Sequence, residues 1–234
     1  MTDFRTGEVL LIHKPLTWTS FQVVNKMKWL IKNHPSLLLE GKKVQPKIGH
    51  AGTLDPLATG LLIVCTGKQT KSIESYQAQE KEYTGTFFIG ATTACFDLEK
   101  EIDATYPTEH ITDALILEAT KQFIGKIQQT PPLYSAIKID GKRAYDIARA
   151  GQTAEIKAKD IEIKVFEITR IALPAVDFRV VCSKGTYIRS LARDFGEALK
   201  SGAHLTALCR TRIGDYKLED AMSIEEFERI YKKI

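Results

Sequence analysis

Hydrophobic and polar positions alternate along this chain in two rhythms, and their order sets out a succession of short strands and helices. Residues 8–12 form a short apolar strand candidate running into Lys14-Pro15. From Ser20 to Lys32, Phe21, Val24, Met27, Leu30 and Ile31 recur at helical spacing, and Thr19 with Gln22 offers a capping box, so an amphipathic helix is predicted there. Residues 33–49 carry proline, glycine and three lysines and read as a loop. Residues 61–66 are continuously apolar, which predicts a buried strand, and 81–90 is β-rich with glycines where it bends. A second helix is expected from Thr112 to Ile124, stopped by Gly125. Residues 128–151 look least like core. Pro131-Pro132 breaks the backbone, Asp140-Gly141 suits a hairpin turn, and Lys142 to Arg149 reads as a short basic helix closed by Gly151.

Two long strands follow, 160–172 and 176–182, joined at Pro174. The clearest helix runs from Thr186 to Leu199, with Ile188, Leu191, Ala192, Phe195, Ala198 and Leu199 on one face and Arg189 and Arg193 elsewhere. A strand at 205–213 and a last helix opened by Ser223 and Glu226 complete the order. Interleaved helices and adjacent antiparallel strands predict an α+β fold around a mixed, largely antiparallel sheet. No internal repeat and no Gly/Ser- or Pro-rich linker divides the chain, so residues 1–234 are read as a single domain.

Composition narrows the function classes. Of 234 residues, 44% are hydrophobic and 26% charged, which excludes disorder throughout. The longest apolar run, Leu61 to Cys65, is five residues against the roughly 18 that span a bilayer, so no membrane role is expected. The amino terminus lacks the basic and apolar regions of a secretory signal. Cys65, Cys95, Cys182 and Cys209 lie at least 27 positions apart with no C-x-x-C pair, and this fits reduced thiols in a cytoplasmic protein. The five histidines are scattered too, so no metal is expected. A net charge of +4 leans only slightly towards anionic partners.

Chemistry concentrates in two segments. Gly49 to Gly60 (GHAGTLDPLATG) packs three glycines, a proline, His50 and one carboxylate, Asp55, into a constrained loop that feeds the buried strand. Pro56 holds Asp55 extended, and the glycines permit close backbone approach. Asp55 has two readings, a nucleophile or base, and an Asp-Pro turn whose carboxylate caps nearby amides. His50 is either a ring that stacks on a base or an ordinary loop histidine. The spacing from Gly60 to Gly67-Lys68 exceeds that of a phosphate-binding loop by two residues, and the intervening residues form the apolar strand, so nucleotide hydrolysis is rejected. In the second segment, Val180 to Ser190, a strand passes through Lys184-Gly185 into a helix start, with Tyr187 and Arg189 nearby. This suits an anion and a flat ring, or serves as a plain cap. Lys42, Lys43, Lys47, Lys138, Lys142, Arg143, Arg149, Arg210 and Arg212, with Tyr134 and Tyr145 interleaved, match what RNA backbone contact needs and equally a solvated surface.

Taken jointly, LLIHKPLTWTS (10–20), GHAGTLDPLATGLLIV (49–64), KEYTGTFFIG (81–90), PPLYSAIKIDGKRAYDIARAG (131–151) and VCSKGTYIRSLARDFG (181–196) resemble the TruB family of tRNA pseudouridine synthases. That resemblance spans about residues 8–215. It implies the pseudouridine synthase fold with the 128–151 segment as an inserted hairpin-helix arm, and isomerisation of the uridine at tRNA position 55 in the T loop. No cofactor is implied. Asp55 matches the essential aspartate, Arg189 the arginine that pairs with it, and Tyr83 the tyrosine lying against the target base. Leu208, Tyr187, Ile188 and Lys14 match residues around the base pocket. Asp97 stands where the family has an acidic residue near the flipped nucleotide, within a divergent run. His50 matches the residue that fills the space left by the extruded base, and Lys142 and Arg143 fall in the arm that clamps the T loop.

Two departures from the family's pattern stand out. No separate RNA-binding domain is expected after the catalytic one, and the 33–47 segment is longer and richer in lysine, a source of replacement phosphate contacts. The expected partner is the T stem-loop of tRNA, and the expected oligomeric state is a monomer. The competing readings are a non-catalytic RNA-binding or tRNA-folding module that keeps the fold for clamping, and a synthase acting on other RNAs, since a related fold serves guide-RNA complexes.

Overall fold

The computed structural model describes residues 2–39, 41–135, 137–139, 141–150, 152 and 154–231, without the side chains of residues 138, 139, 142, 143, 148 and 149. The chain forms two compact units, residues 1–83 with 209–234, and residues 84–208. The architecture is α+β, with the strands of a large mixed sheet flanked by helices.

In the first unit, Val9–Lys14 pairs antiparallel with Ala58–Thr66, setting Val9 opposite Cys65 and Lys14 opposite Gly60. Ile48–His50 pairs with the same strand, and Ile12 meets Met222 in a parallel bridge. Because side chains alternate along a strand, the continuous apolar run at 61–65 supplies two cores. Leu62 and Val64 join Leu10, Ile12, Val23, Met27, Ile31 and Phe227 in one cluster. Leu61, Ile63 and Cys65 join Ala51 and Ile213 in another. An unbroken apolar stretch is therefore required here, where a strand with one wet face would alternate.

The Ser20–Ile31 helix has the expected capping box. Thr19 Oγ1 accepts from the Gln22 amide at 3.1 Å, while the Gln22 side chain accepts from the Thr19 amide at 2.7 Å. Its buried stripe is Ser20, Val23, Val24, Met27, Leu30 and Ile31, whereas Phe21 is 68% exposed, so Phe21 does not belong to the apolar face read from the sequence. Residues 33–49 are also more ordered than a loop. A short 3-10 turn at Pro35–Leu37 leads into paired strands Leu38–Leu39 and Lys42–Lys43, and the segment ends in the strand Ile48–His50. Leu37, 1% exposed, anchors this excursion to the core. At the far end, Ser223 and Glu226 cap the Ile224–Tyr231 helix reciprocally.

The second unit is built on Lys159–Ala172, which pairs antiparallel with Ala175–Cys182 on one side and Gly125–Gln129 on the other. Its core is aromatic. Phe87 and Phe178 stack with centroids 4.1 Å apart, and Phe166, Phe123 and Phe195 pack edge-on or tilted around them. Phe195 comes from the Ile188–Ala198 helix, which starts two residues later than the sequence reading because Tyr187 is its extended cap. In the arm, Lys138–Ile139 pairs with Lys142–Arg143 and the helix is Ala144–Arg149. Lys142 and Arg143 are thus strand residues and not the first turn of the helix. Asp140 and Gly151, expected at the hairpin turn and the helix end, lie outside the described residues.

The strands Lys81–Ile89 and Ala203–Ile213 each run from one unit into the other. All four cysteines are free, and Cys65, Cys95 and Cys182 are buried, while Cys209 is only half-buried. No described helix is long and apolar enough to cross a membrane. Among the described residues no group of three or more His, Cys, Asp or Glu side chains is placed to hold a metal ion.

Candidate active site

In the first unit, the loop bearing Asp55 is held from several directions by backbone and buried polar contacts. Ser20 Oγ, 2% exposed, accepts the Leu54 amide at 2.9 Å and donates to the Leu54 carbonyl at 3.2 Å. The Asp55 carbonyl accepts the Ala58 amide at 3.0 Å, closing a turn over Pro56-Leu57, and the Pro56 carbonyl accepts the Thr17 amide at 2.8 Å. Asp55 itself is half-buried. Its backbone is therefore fixed on both sides.

Lys14 ends the first strand with its side chain fully buried. Its ammonium donates to the carbonyls of Trp18 at 2.5 Å, Pro15 at 3.0 Å and Pro56 at 3.3 Å. Three carbonyls satisfy three N–H donors, the condition under which a buried ammonium is tolerated. Burial lowers its pKa from 10.5 to about 8; Asp55 opposes that fall and Arg210 adds to it. Lys14 thus ties the 14–20 segment to the Asp55 loop and places a positive charge near the carboxylate. Its contacts in the structure are those of an attachment.

Arg210, read from the sequence only as one of several cations, is 1% exposed. Its Nε donates to the Leu61 carbonyl at 2.8 Å and an Nη donates to the Gly52 carbonyl at 3.0 Å, joining the start of the loop to the strand that follows it. The Arg210 backbone also passes so near Gly60 that an added Cβ would lie 2.3 Å from its carbonyl oxygen. Gly60 has φ +106° and is required on both counts. His50 is half-buried, and burial, then the Arg210 charge, lowers its pKa, so the ring is neutral at pH 7 and suited to stacking. Tyr83, 9% exposed, lies in the Lys81–Ile89 strand.

The second unit holds the remaining candidates. Arg189 is 5% exposed, and its Nε lies 3.5 Å from Asp97 Oδ2, a pairing that the sequence reading did not anticipate. Its Nη atoms donate to the Tyr134 carbonyl at 2.9 Å and the Cys95 carbonyl at 3.3 Å. Asp97 Oδ1 accepts from Cys95 Sγ and the Glu99 amide, both at 2.9 Å. Tyr187 is oriented by Gln129, whose amide side chain exchanges two hydrogen bonds with the Tyr187 backbone at 2.8 and 3.2 Å. One of the helix-start N–H groups expected to be free for an anion is therefore already used. Ile188 is buried, and Leu208 is half-buried in the Ala203–Ile213 strand. Lys14, His50, Asp55 and Tyr83 are thus gathered in one unit, and Asp97, Tyr187, Ile188, Arg189 and Leu208 in the other. The Lys142 and Arg143 side chains lie outside the described residues.

Ser20, Arg210 and Gln129 were the contributors missed. Ser20 was visible only as a helix start, and a buried arginine has the same sequence signature as a solvated one.

Comparison with known proteins gives this arrangement a family. The model described as the TruB family pseudouridylate synthase N-terminal domain matches residues 40–188, and that described as the tRNA pseudouridylate synthase B C-terminal domain matches residues 189–233. The second match falls on residues read from the sequence as part of one catalytic domain. The chain is 62% identical over 226 residues to a tRNA pseudouridine synthase B of Flavobacterium johnsoniae, covering 97% of this chain and 96% of that relative. It is 60% identical over 225 residues to one of Phocaeicola vulgatus, covering 96% and 93%. A chain in a solved Cbf5-Nop10-Gar1 complex superposes with a TM-score of 0.72 at 29% identity over 97% of this chain, which spans 55% of that one. The matched domains include the pinned Asp55 loop and the Arg189–Asp97 pair, and on this ground the chain belongs to the TruB family of pseudouridylate synthases.

Proposed function

We propose that this protein isomerises uridine to pseudouridine in the T loop of tRNA, at position 55, with Asp55 as the essential carboxylate. The observation that carries the assignment is the fixation of the Asp55 loop by Ser20, Lys14 and Arg210, which spend buried polar groups on holding one half-exposed acid. Pre-organisation of that kind lowers the cost of bringing a reacting group to its target.

The reaction breaks the N1–C1′ bond, turns the base and joins C5 to C1′; N1 gains a proton and C5 loses one, so atoms and electrons balance without a cofactor. Asp55 acts on the sugar or the base as nucleophile, or takes a sugar proton. Tyr83 lies against the base and serves removal of the C5 proton. Arg189 contributes a guanidinium of fixed direction, because Asp97 and two carbonyls hold it. The base must leave the loop's stack, at about a few kcal/mol. His50, as a neutral ring, offsets part of that by stacking in the vacated space. Tyr187, Ile188 and Leu208 wall the pocket, and Lys142 and Arg143 meet the RNA backbone. The protein works as a monomer in the cytoplasm, without metal. The tRNA reading is favoured over other RNAs by the names of relatives at 60% identity and above.

The test is to incubate a tRNA transcript with wild type and with Asp55→Asn and to map pseudouridine in the T loop. Product at the expected uridine from wild type and none from the variant is the anticipated result. Product from Asp55→Asn, or none from wild type despite binding, would overturn the reading.

A further inference from the structure

A cleft of about 330 Å³ in the first unit is lined by Arg5, Lys47, Lys68 and Lys71 above an apolar floor that includes Val44 and Pro46. No acidic side chain lines it, although the chain as a whole carries 29 acids against 33 Lys and Arg. The four cations are exposed. None of them makes a salt bridge among the described residues. Asp3, two residues before Arg5, is engaged through its carboxylate with the Arg5 and Thr6 amides.

The cations come from three separate stretches of chain that the backbone locks together. The Gly67 amide donates to the Lys47 carbonyl and the Lys68 amide to the Thr6 carbonyl, both at 3.0 Å, and the Val44 amide donates to the Leu37 carbonyl at 2.8 Å. Gly67, at φ +52°, lets the Arg5 carbonyl approach to where a Cβ would lie 2.3 Å away. The backbone therefore fixes the three stretches together. Among the described residues only Arg5 of the four cations feels a nearby carboxylate, that of Asp3, whose pKa is lowered mainly by its hydrogen bond with Thr6 and in small part by the Arg5 charge. Part of the wall is the lysine-rich 33–47 excursion, whose 3-10 turn and hairpin present Val44 to Lys47 to the cleft.

We propose that this cleft is a second RNA-binding site, which takes one nucleotide of the tRNA strand with its phosphate on Arg5, Lys47, Lys68 and Lys71 and its base against the Val44–Pro46 floor. The inference rests on the tRNA reading above. A volume of this size lies within the range of small-ligand sites, about 300–1,000 Å³. A lining whose charged groups are all cations, with Gln45 and Thr70 as its neutral polar members and an apolar remainder, suits a group that is anionic at one end and flat at the other. Exposed lysines contact phosphate mainly through counterion release, so the site is expected to be salt-sensitive.

The experiment measures equilibrium binding of a full-length tRNA transcript, and separately of uridine 5′-monophosphate, between 50 and 200 mM salt. The proteins are wild type, Lys68→Ala/Lys71→Ala, Val44→Trp, and a control with the same charge change, Lys121→Ala/Lys126→Ala. The lysine pair is expected to weaken tRNA binding roughly tenfold and to flatten the salt slope by about one. Val44→Trp, which fills the cleft without changing charge, should weaken binding and keep the slope, while the control matches wild type. Equal losses in the control, unchanged tRNA affinity in the lysine pair or in Val44→Trp, or loss confined to the mononucleotide would each overturn the proposal. Because the readout is binding, absence of pseudouridine from wild type would defeat the proposed function without imitating any of these outcomes.

Discussion

Ser20 Oγ both accepts the amide and donates to the carbonyl of Leu54, across 34 positions of sequence, so one buried hydroxyl satisfies the backbone of the residue preceding Asp55. Replacing it with alanine leaves two buried polar groups unpaired, at a cost of about 1–3 kcal/mol. Ser20→Ala is expected to lower the urea midpoint by a corresponding amount. It should also reduce kcat roughly tenfold or more, with a smaller change in KM, because a loosened loop misplaces the carboxylate more than it weakens RNA binding. Lost stability with kcat intact would show that the hydroxyl only supports the fold.

Lys14 gives a pH-dependent stability of definite sign. Its folded pKa, about 8, lies below its ordinary value of 10.5, so between these limits the unfolded chain binds more protons at this residue than the folded one. Its contribution to stability therefore improves as pH rises from about 8 to about 10 and is flat below pH 7. Subtracting the unfolding free energy of Lys14→Met from that of wild type across pH 6–10 should reveal this rise. A difference that falls over that window would contradict the burial assigned to the ammonium.

Gly60 and Gly125 both have positive φ, +106° and +97°, but an added Cβ meets the Arg210 backbone at Gly60 and nothing within 4 Å at Gly125. Gly125→Ala should cost only the left-handed strain of an L-residue, about 1–2 kcal/mol. Gly60→Ala adds a backbone clash and should lose clearly more, seen as a larger drop in Tm and a smaller yield of folded protein. Equal losses would mean that the strands part easily at this point.

The Arg189–Asp97 pair is buried on both sides, with side chains 6% and 5% exposed. Removing one charge from such a pair costs about 3–5 kcal/mol where no new partner appears. Asp97→Asn keeps the shape and is expected to destabilise the protein by about 3 kcal/mol in urea unfolding. It should lower pseudouridine formation as Arg189 loses its fixed direction. Arg189→Lys should not restore activity, since an ammonium lacks the planar fork that reaches both Asp97 and the Tyr134 carbonyl.

Much of the fold is legible in short-range pattern. The Thr19–Gln22 and Ser223–Glu226 capping boxes and the buried strand after Gly60 are each fixed by residues within a few positions of one another. The apolar stripe of the first helix was misjudged at Phe21 because a spacing of three or four residues admits two neighbouring faces, and the packing of Val23 decides between them. The elements within 33–49 run only two or three residues each, too short to show a period.

The sequence by itself determined the order of the longer elements and the loop that carries Asp55, because capping, turn chemistry and strand alternation are local effects; the Ile73–Ala78 helix and the Gly125–Gln129 strand were not read from it. Only the tertiary structure decided that Lys14 serves the Pro56 carbonyl, that Arg210 reaches Gly52 across 158 positions, and that Arg189 faces Asp97. A buried ammonium, a buried guanidinium and their solvated counterparts are written with the same letters. What separates them is which distant carbonyls and carboxylates replace the lost water, and that is settled when the chain packs.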